Sequence, residues 1–269
     1  MRSPSESKLS ETRKGILLSL VLILVGGPSV FAQSSYTVSR FTHETGDFVT
    51  QPLRWRGNDL LTLGLIAAGT ALVMPADQRI RHAVVTGDRK YFRSVPIEVG
   101  RYWGEWYTAP IVAGAFGLHG WLADNASSRK IGFEVIQAVA YAATVTEVMK
   151  IAFGRARPYE GKGAFFYQPF RLTGVGFLSL PGGHVTSAMT MSTVLSRNAR
   201  PTFLKILAYA PAGLTFISRV YQDKHWTSDE VLGASIGYFV ATWVVDRHES
   251  KESAVSISSV YPLALSYRF

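Results

Sequence analysis

Long apolar stretches, each closed by proline or glycine, recur from residue 60 to residue 245 and leave little room for anything but helices. Leu60 to Met74 stops at Pro75. Pro110 to Leu122 stops at Asp124-Asn125, and Ile131 to Phe153 is ended by Gly154 and Pro158. Val185 to Ser196, Pro201 to Val220 and Ser228 to Val245 follow. Strands rarely exceed ~10 residues, so β-branched residues scattered through these runs do not make them strands. The expectation is an all-α protein with about six core helices. The segment Gly161 to Gly183, rich in glycine and aromatics, reads as a loop.

The ends differ from this middle. Arg13 and Lys14 precede an apolar run from Ile16 to Val25, and Val30-Phe31-Ala32 supplies a small-residue cleavage pattern. That is the layout of a secretory signal peptide, so residues 1–32 are expected to be removed on export to the periplasm or cell envelope. Residues 33–58 are polar and weakly periodic, an extended lead-in with one short helix. Residues 59–248 form the domain. The tail, 249–269, alternates through Val255, Ile257, Val260, Tyr261, Leu263, Leu265 and Tyr267 and reads as a short strand or extended arm.

The chain has 269 residues, 47% of them hydrophobic, which suits one substantial domain. It has no cysteine, which excludes disulfides, thiolate zinc sites and cysteine nucleophiles. Its formal charge of +9 suits an acidic partner. A basic segment with Arg79, Arg81, Arg89, Lys90, Arg93 and Arg101 is interleaved with Tyr102, Trp103, Trp106 and Tyr107, and reads as a face for anionic headgroups. The tryptophans read as packing and interface residues, and nucleic acid is not expected as a partner. Glu134, Gln137 and Glu147 lie inside one apolar run, and Asp229 and Glu230 open another. A charge at the bilayer centre costs ~2.5–3.5 kcal/mol on insertion scales, so a domain resting on the membrane or partly inserted is preferred to full spans. Were the signal peptide cleaved and the first three helices all spanning, the end of the third would also face the cytoplasm, away from an exported substrate.

Three short segments carry the chemistry. In the first, Lys150 and Arg157 are separated by six residues and Pro158 follows. Proline holds Arg157 extended, and an ammonium with a guanidinium fork suits a phosphate. The second is Leu180-Pro181-Gly182-Gly183-His184. Its two glycines let backbone N–H groups turn onto an anion, and a helix opening at His184 adds partial positive charge. The third is Ser218-Arg219, five residues, His225, three residues and Asp229. At a spacing of four, a carboxylate accepting from one ring nitrogen fixes the tautomer and leaves the other as a nucleophile. His43, His82, His119 and His248 show no such pattern and no metal-ligand spacing, and read as surface or structural.

Together these segments resemble the three signature motifs of the type 2 phosphatidic acid phosphatase family, which shares its fold with bacterial class A acid phosphatases and vanadium haloperoxidases. Lys150, Arg157 and Pro158 match the first motif; Ser218, Arg219, His225 and Asp229 match the third. The second departs from the pattern, because Gly182 stands where the family usually has serine. The resemblance implies that the helices form a bundle, and that Lys150, Arg157, Arg219 and the loop Gly182-Gly183 bind phosphate. It further implies that His225 attacks phosphorus oriented by Asp229, and that His184 protonates the leaving oxygen. Water then hydrolyses the phosphohistidine, with no metal or other cofactor. The implied substrate is a phosphomonoester or pyrophosphate, of a lipid in view of the apolar helices. The absent serine hydroxyl is expected to weaken the enzyme, and Gly182→Ser to leave activity equal or higher. A vanadate-dependent haloperoxidase and a non-catalytic membrane-associated binding protein with a degenerate site stay open as alternatives.

Overall fold

The computed structural model describes residues 36–260, except 88–90 and 92, and side chains as far as 249. The signal-peptide reading, Arg89, Lys90 and the end of the tail lie outside the described residues. The chain divides into a unit ending at Arg54 and a unit beginning at Trp55. In the first, α1 (Val38–Thr50) starts where the Thr37 hydroxyl accepts the Arg40 N–H, 3.2 Å away. An Arg40–Glu44 pair at 3.0 Å follows on the same face, and a 3₁₀ turn, Gln51–Arg54, closes the unit.

Among its described residues, the second unit has helices as its regular elements, beside one isolated bridge between Arg155 and Tyr167. In α2 (Gly57–Val73) Asp59 reaches back to the Arg56 N–H at 2.9 Å, half of a capping box. The basic-aromatic segment folds into two further helices, α3 (Asp77–Thr86) and α4 (Val95–Trp103). Next come α5 (Thr108–Leu122) and α6 (Ala126–Phe153), the latter capped by the Asn125 side-chain Oδ1 accepting the Ser128 N–H at 2.9 Å. A loop leads to α7 (Gly183–Asn198), α8 (Thr202–Leu207), α9 (Ala210–Tyr221) and α10 (Thr227–Val260).

Two expectations need correction. The stretch Pro201 to Val220 is two helices, because Pro211 lacks an N–H and its ring would strike the turn ending at Leu207. The tail is no strand as far as Val260, since α10 runs on through 249–260.

The core lies between α6, α7 and α10, which pack on one another through Ala138, Tyr141 and Ala142, then Val185, Ala188, Met191 and Val194, then Ala241, Val244 and Val245. α5 packs on α6, and α4 on α9. Gly154 sets the position of the site at the end of α6. It has φ +59°, and a Cβ there would overlap the Gln168 carbonyl, so only glycine lets the chain reverse at this point.

The apolar surface is large. On α2, Leu60, Leu61, Leu63 and Leu65 are exposed and Leu72 is 80% exposed; Trp121, Leu122, Phe203 and Ile206 are exposed elsewhere. Three stretches, Gly57–Thr86, Ala126–Phe153 and Thr202–Tyr221, are long and apolar enough to cross a membrane. The electrostatic objection to spanning loses most of its force. Glu134 is fully buried, receives Asn198 Nδ2 at 2.6 Å and lies 3.1 Å from His248 Nδ1. Gln137 is buried beside Tyr141, 3.1 Å from its hydroxyl. Polar groups buried inside a bundle do not meet hydrocarbon. These features make the protein membrane-associated. His248 and His119, which pairs with Ser128 at 2.8 Å, are structural as expected.

Candidate active site

The three segments converge at one end of the bundle, joined mainly through the loop before α7. The Ser179 N–H donates to the Arg155 carbonyl at 3.1 Å, and the Arg157 N–H to the Gly176 carbonyl at 2.7 Å. The Gly182 N–H donates to the Asp229 carbonyl at 2.9 Å. A Cβ on Gly183 would lie 2.7 Å from Lys150 Nζ, so that ammonium rests against the first residue of α7. Arg157 is extended (φ −71°, ψ 156°), as the following proline requires.

Lys150 is buried, and its ammonium lies 2.6 Å from Glu147. Arg219 is buried with one terminal nitrogen on Gln222. The Nε of Arg157 and that of Arg219 are buried with no acceptor among the described residues, which leaves two donors unsatisfied within the protein. Lys224, exposed at the edge, is depressed by burial of its stem and then by the charges of Arg157 and Arg219. Excess positive charge is therefore concentrated here, as an anion site requires.

His225 is 2% exposed. Burial holds its imidazole well below the ordinary histidine range, with Arg157, His184, Lys150 and Arg219 acting the same way. Its Nδ1 is 2.9 Å from the Ser179 carbonyl oxygen. A carbonyl can only accept, so the proton sits on Nδ1 and the lone pair on Nε2 is free.

The partner is not the expected one. Asp229 Oδ2 is 3.7 Å from Nδ1, too far for a hydrogen bond. That oxygen takes the Ser179 hydroxyl at 2.6 Å and the Trp226 N–H at 2.9 Å, and Oδ1 takes Arg155 at 2.6 Å. Asp229 therefore caps α10 and fixes Ser179, whose carbonyl in turn holds the ring.

Several residues around the site left little trace in the sequence. Arg155 is fully buried and donates to the Ala164 carbonyl, Ser228 Oγ, Asp229 and Asp77, at 2.8, 2.7, 2.6 and 2.8 Å. Asp77 also accepts the Ser228 N–H at 3.0 Å, a second cap for α10. Glu105 lies 3.7 Å from His184 Nε2. The interaction with His184 holds Glu105 below the usual carboxylate range, against its burial, while burial lowers His184. The His184 side chain is 29% exposed, so it stands at the mouth while His225 lies at the floor. Glu230 is fully buried beside His225, with Oε1 3.7 Å from Nδ1.

Gly182 is also more than a missing serine. A Cβ there would overlap Glu230 Oε1 and come within 2.7 Å of its carboxyl carbon. Gly182→Ser must therefore displace the buried Glu230 carboxyl, a consequence that the sequence alone does not show. Arg81 and Arg101, expected to face headgroups, are engaged: Arg81 with Asp223 at 2.7 and 2.8 Å, Arg101 with Glu98 at 2.7 Å.

Residues 132–253 match the PAP2 superfamily. A stretch of 102 residues, 36% of this chain, is 30% identical to lipid A 1-phosphatase of Porphyromonas gingivalis, and spans only 20% of that protein. The fold resembles the crystal structure of a transmembrane PAP2 type phosphatidylglycerolphosphate phosphatase from Bacillus subtilis. The TM-score is 0.52 at 22% identity, over 71% of this chain and 94% of that one. The motif residues gathered at the end of the helical core all lie within residues 132–253, the part of the chain that is similar to the PAP2 superfamily.

Proposed function

We propose that the protein is a metal-independent phosphatase acting on a phosphorylated lipid through a phosphohistidine at His225. The observation that carries this is the ring geometry: Nδ1 is engaged by the Ser179 carbonyl, and Nε2 is left free in a pocket supplied with Lys150, Arg157 and Arg219.

These cations and the Gly183 amide bind the phosphate oxygens and hold the charge that builds on them. Nε2 forms a bond to phosphorus as the bond to the leaving oxygen breaks, and His184 gives that oxygen its proton. Asp229 acts through Ser179 to hold the ring. Water, deprotonated by His184, then attacks phosphorus, the N–P bond breaks, and inorganic phosphate leaves. His184 at the mouth is where a leaving group would depart.

The relative's name and the structural neighbour's title both specify a phosphorylated lipid, and the exposed apolar helices suit a membrane-borne substrate. A chain exported by residues 1–32 would act in the cell envelope.

The test is phosphate release from short-chain phosphatidate, a polyprenyl pyrophosphate and p-nitrophenyl phosphate by the purified protein. His225→Ala should abolish turnover and ³²P labelling of the protein, Asp229→Asn should slow both, and chelators should have no effect. Undiminished hydrolysis by His225→Ala would remove the mechanism, and equal turnover of all three substrates would remove the lipid preference.

A further inference from the structure

Two adjacent carboxyls open α10, and the structure treats them oppositely. Asp229 is saturated with donors: a guanidinium, a hydroxyl and a backbone N–H. Glu230 is equally buried, yet neither of its oxygens has a hydrogen-bond partner among the described residues. An ionised carboxylate out of water needs such donors, and a neutral acid carries one of its own.

The position of this carboxyl is as informative as its isolation. Gly182 is the N-cap of α7, and it makes no side-chain cap hydrogen bond. The side chain of an N-cap residue stands at the first-turn N–H groups, the part of a helix that attracts an anion. In this protein that space is filled from another helix, since the Glu230 carboxyl lies where a Cβ of residue 182 would be. Around it stand His225, Asp229, Arg219, Arg157 and Lys150.

We propose that Glu230 is a neutral carboxylic acid in the phosphate pocket, donating to a phosphate oxygen the hydroxyl-type hydrogen bond that Gly182 lacks the side chain to make. Gly182 and Glu230 are thus a matched pair, the glycine making room for the acid. Burial, with the charge of Asp229 beside it, holds the Glu230 carboxyl well above the usual range, against the pull of Arg219, Arg157 and Lys150. A carboxylate here would repel the phosphate, whereas the acid assists it. The proton stays on Glu230 through both displacements, so no further proton acceptor is needed.

The inference rests on the phosphatase reading, and its test separates the two. Binding of inorganic phosphate and of orthovanadate by the full chain in detergent is measured by calorimetry, and kcat/KM is measured in parallel. Glu230→Ala should weaken binding of both anions at least ~10-fold and lower kcat/KM by ~10²-fold, the scale of one lost transition-state donor. Glu230→Gln, which keeps a donor of the same shape, should stay within ~3-fold of wild type in both. Gly182→Ser alone should lose activity, and Gly182→Ser combined with Glu230→Ala should regain at least ~10-fold over Glu230→Ala, because the serine hydroxyl then has both room and a role.

A Gln variant as impaired as the Ala variant would show that a carboxylate is required and overturn the proposal. So would an Ala variant equal to wild type, or a double variant no better than Glu230→Ala. If Glu230→Ala does not fold, Glu230→Asp replaces it, with the same loss expected because the carboxyl is withdrawn by one methylene; wild-type behaviour of the Asp variant overturns the proposal. Anion binding that follows this pattern in a protein releasing no phosphate would sink the phosphatase reading and leave the donor in place.

Discussion

In the proposed mechanism His225 and His184 have opposite duties, and the site prepares each differently. His225 must be neutral to attack. Burial and four neighbouring charged groups keep it so well below the ordinary histidine value of about 6.5. Rate therefore rises with pH through a value under about 6.5. His184 must carry a proton to release the leaving group, and burial lowers its value as well, with Glu105 opposing. Rate therefore falls as pH rises through a second value under about 6.5. The kcat/KM profile, which reports the free enzyme, should be a bell on the acid side of pH 6.5; a maximum above neutrality would contradict these assignments. Arg155 makes a different prediction, about folding. It sits between Asp77 and Asp229 with all three fully buried, so Arg155→Ala strands two carboxylates. A loss of about 3–5 kcal/mol in denaturant unfolding is expected. Lys150, Arg157 and Arg219, proposed to bind phosphate, were legible as candidates because their types and spacing suit that chemistry. Arg155 was not, since its partners lie 78 and 74 residues away in sequence. Glu230 was visible only as one of two acids opening a helix, and nothing local shows that its neighbour takes the donors.

Helices were read where an apolar run exceeded strand length, and that signal located α2, α5, α6, α7 and α10 to within about five residues, apart from the far end of α10. It missed α3 and α4, whose apolar residues are interrupted by arginines that turn out to be paired, and it fused α8 to α9 by overlooking what Pro211 forbids. As far as Val260 the C-terminal alternation failed for a related reason: a period of two over a few residues is outweighed by the helix already running into it from Thr227. The element on which the site most depends is the turn after α6. Gly154 reverses the chain so that Arg155 enters the buried network while Arg157 extends beside the loop before α7. Alanine there meets both a positive φ and the Gln168 carbonyl. Gly154→Ala should cost more than ~1 kcal/mol of stability, with kcat/KM falling further than the folded fraction does because the cations are displaced. Activity that merely tracks the folded fraction would mean the turn does not set their position.

Two forces are available to hold the whole molecule to a membrane, and they respond differently to salt. One is its net charge of +9, which would attract anionic headgroups. The other is the apolar surface of α2, α5 and α8, within or beside stretches long enough to cross a bilayer. At 1 M salt the Debye length falls to about 3 Å, and attraction between separated surface charges is largely lost. Two of the arginines that could have provided it are already committed to carboxylates within the fold. Apolar surface in hydrocarbon is not released by salt, because its transfer to water costs roughly 25 cal/mol per Å² at any ionic strength of this order. Membranes carrying the protein should therefore retain it through a 1 M salt wash and yield it only to detergent. Release by salt alone would make it a basic peripheral protein and would remove the reason to place a lipid phosphate, held at the headgroup level, opposite the cationic end of the bundle.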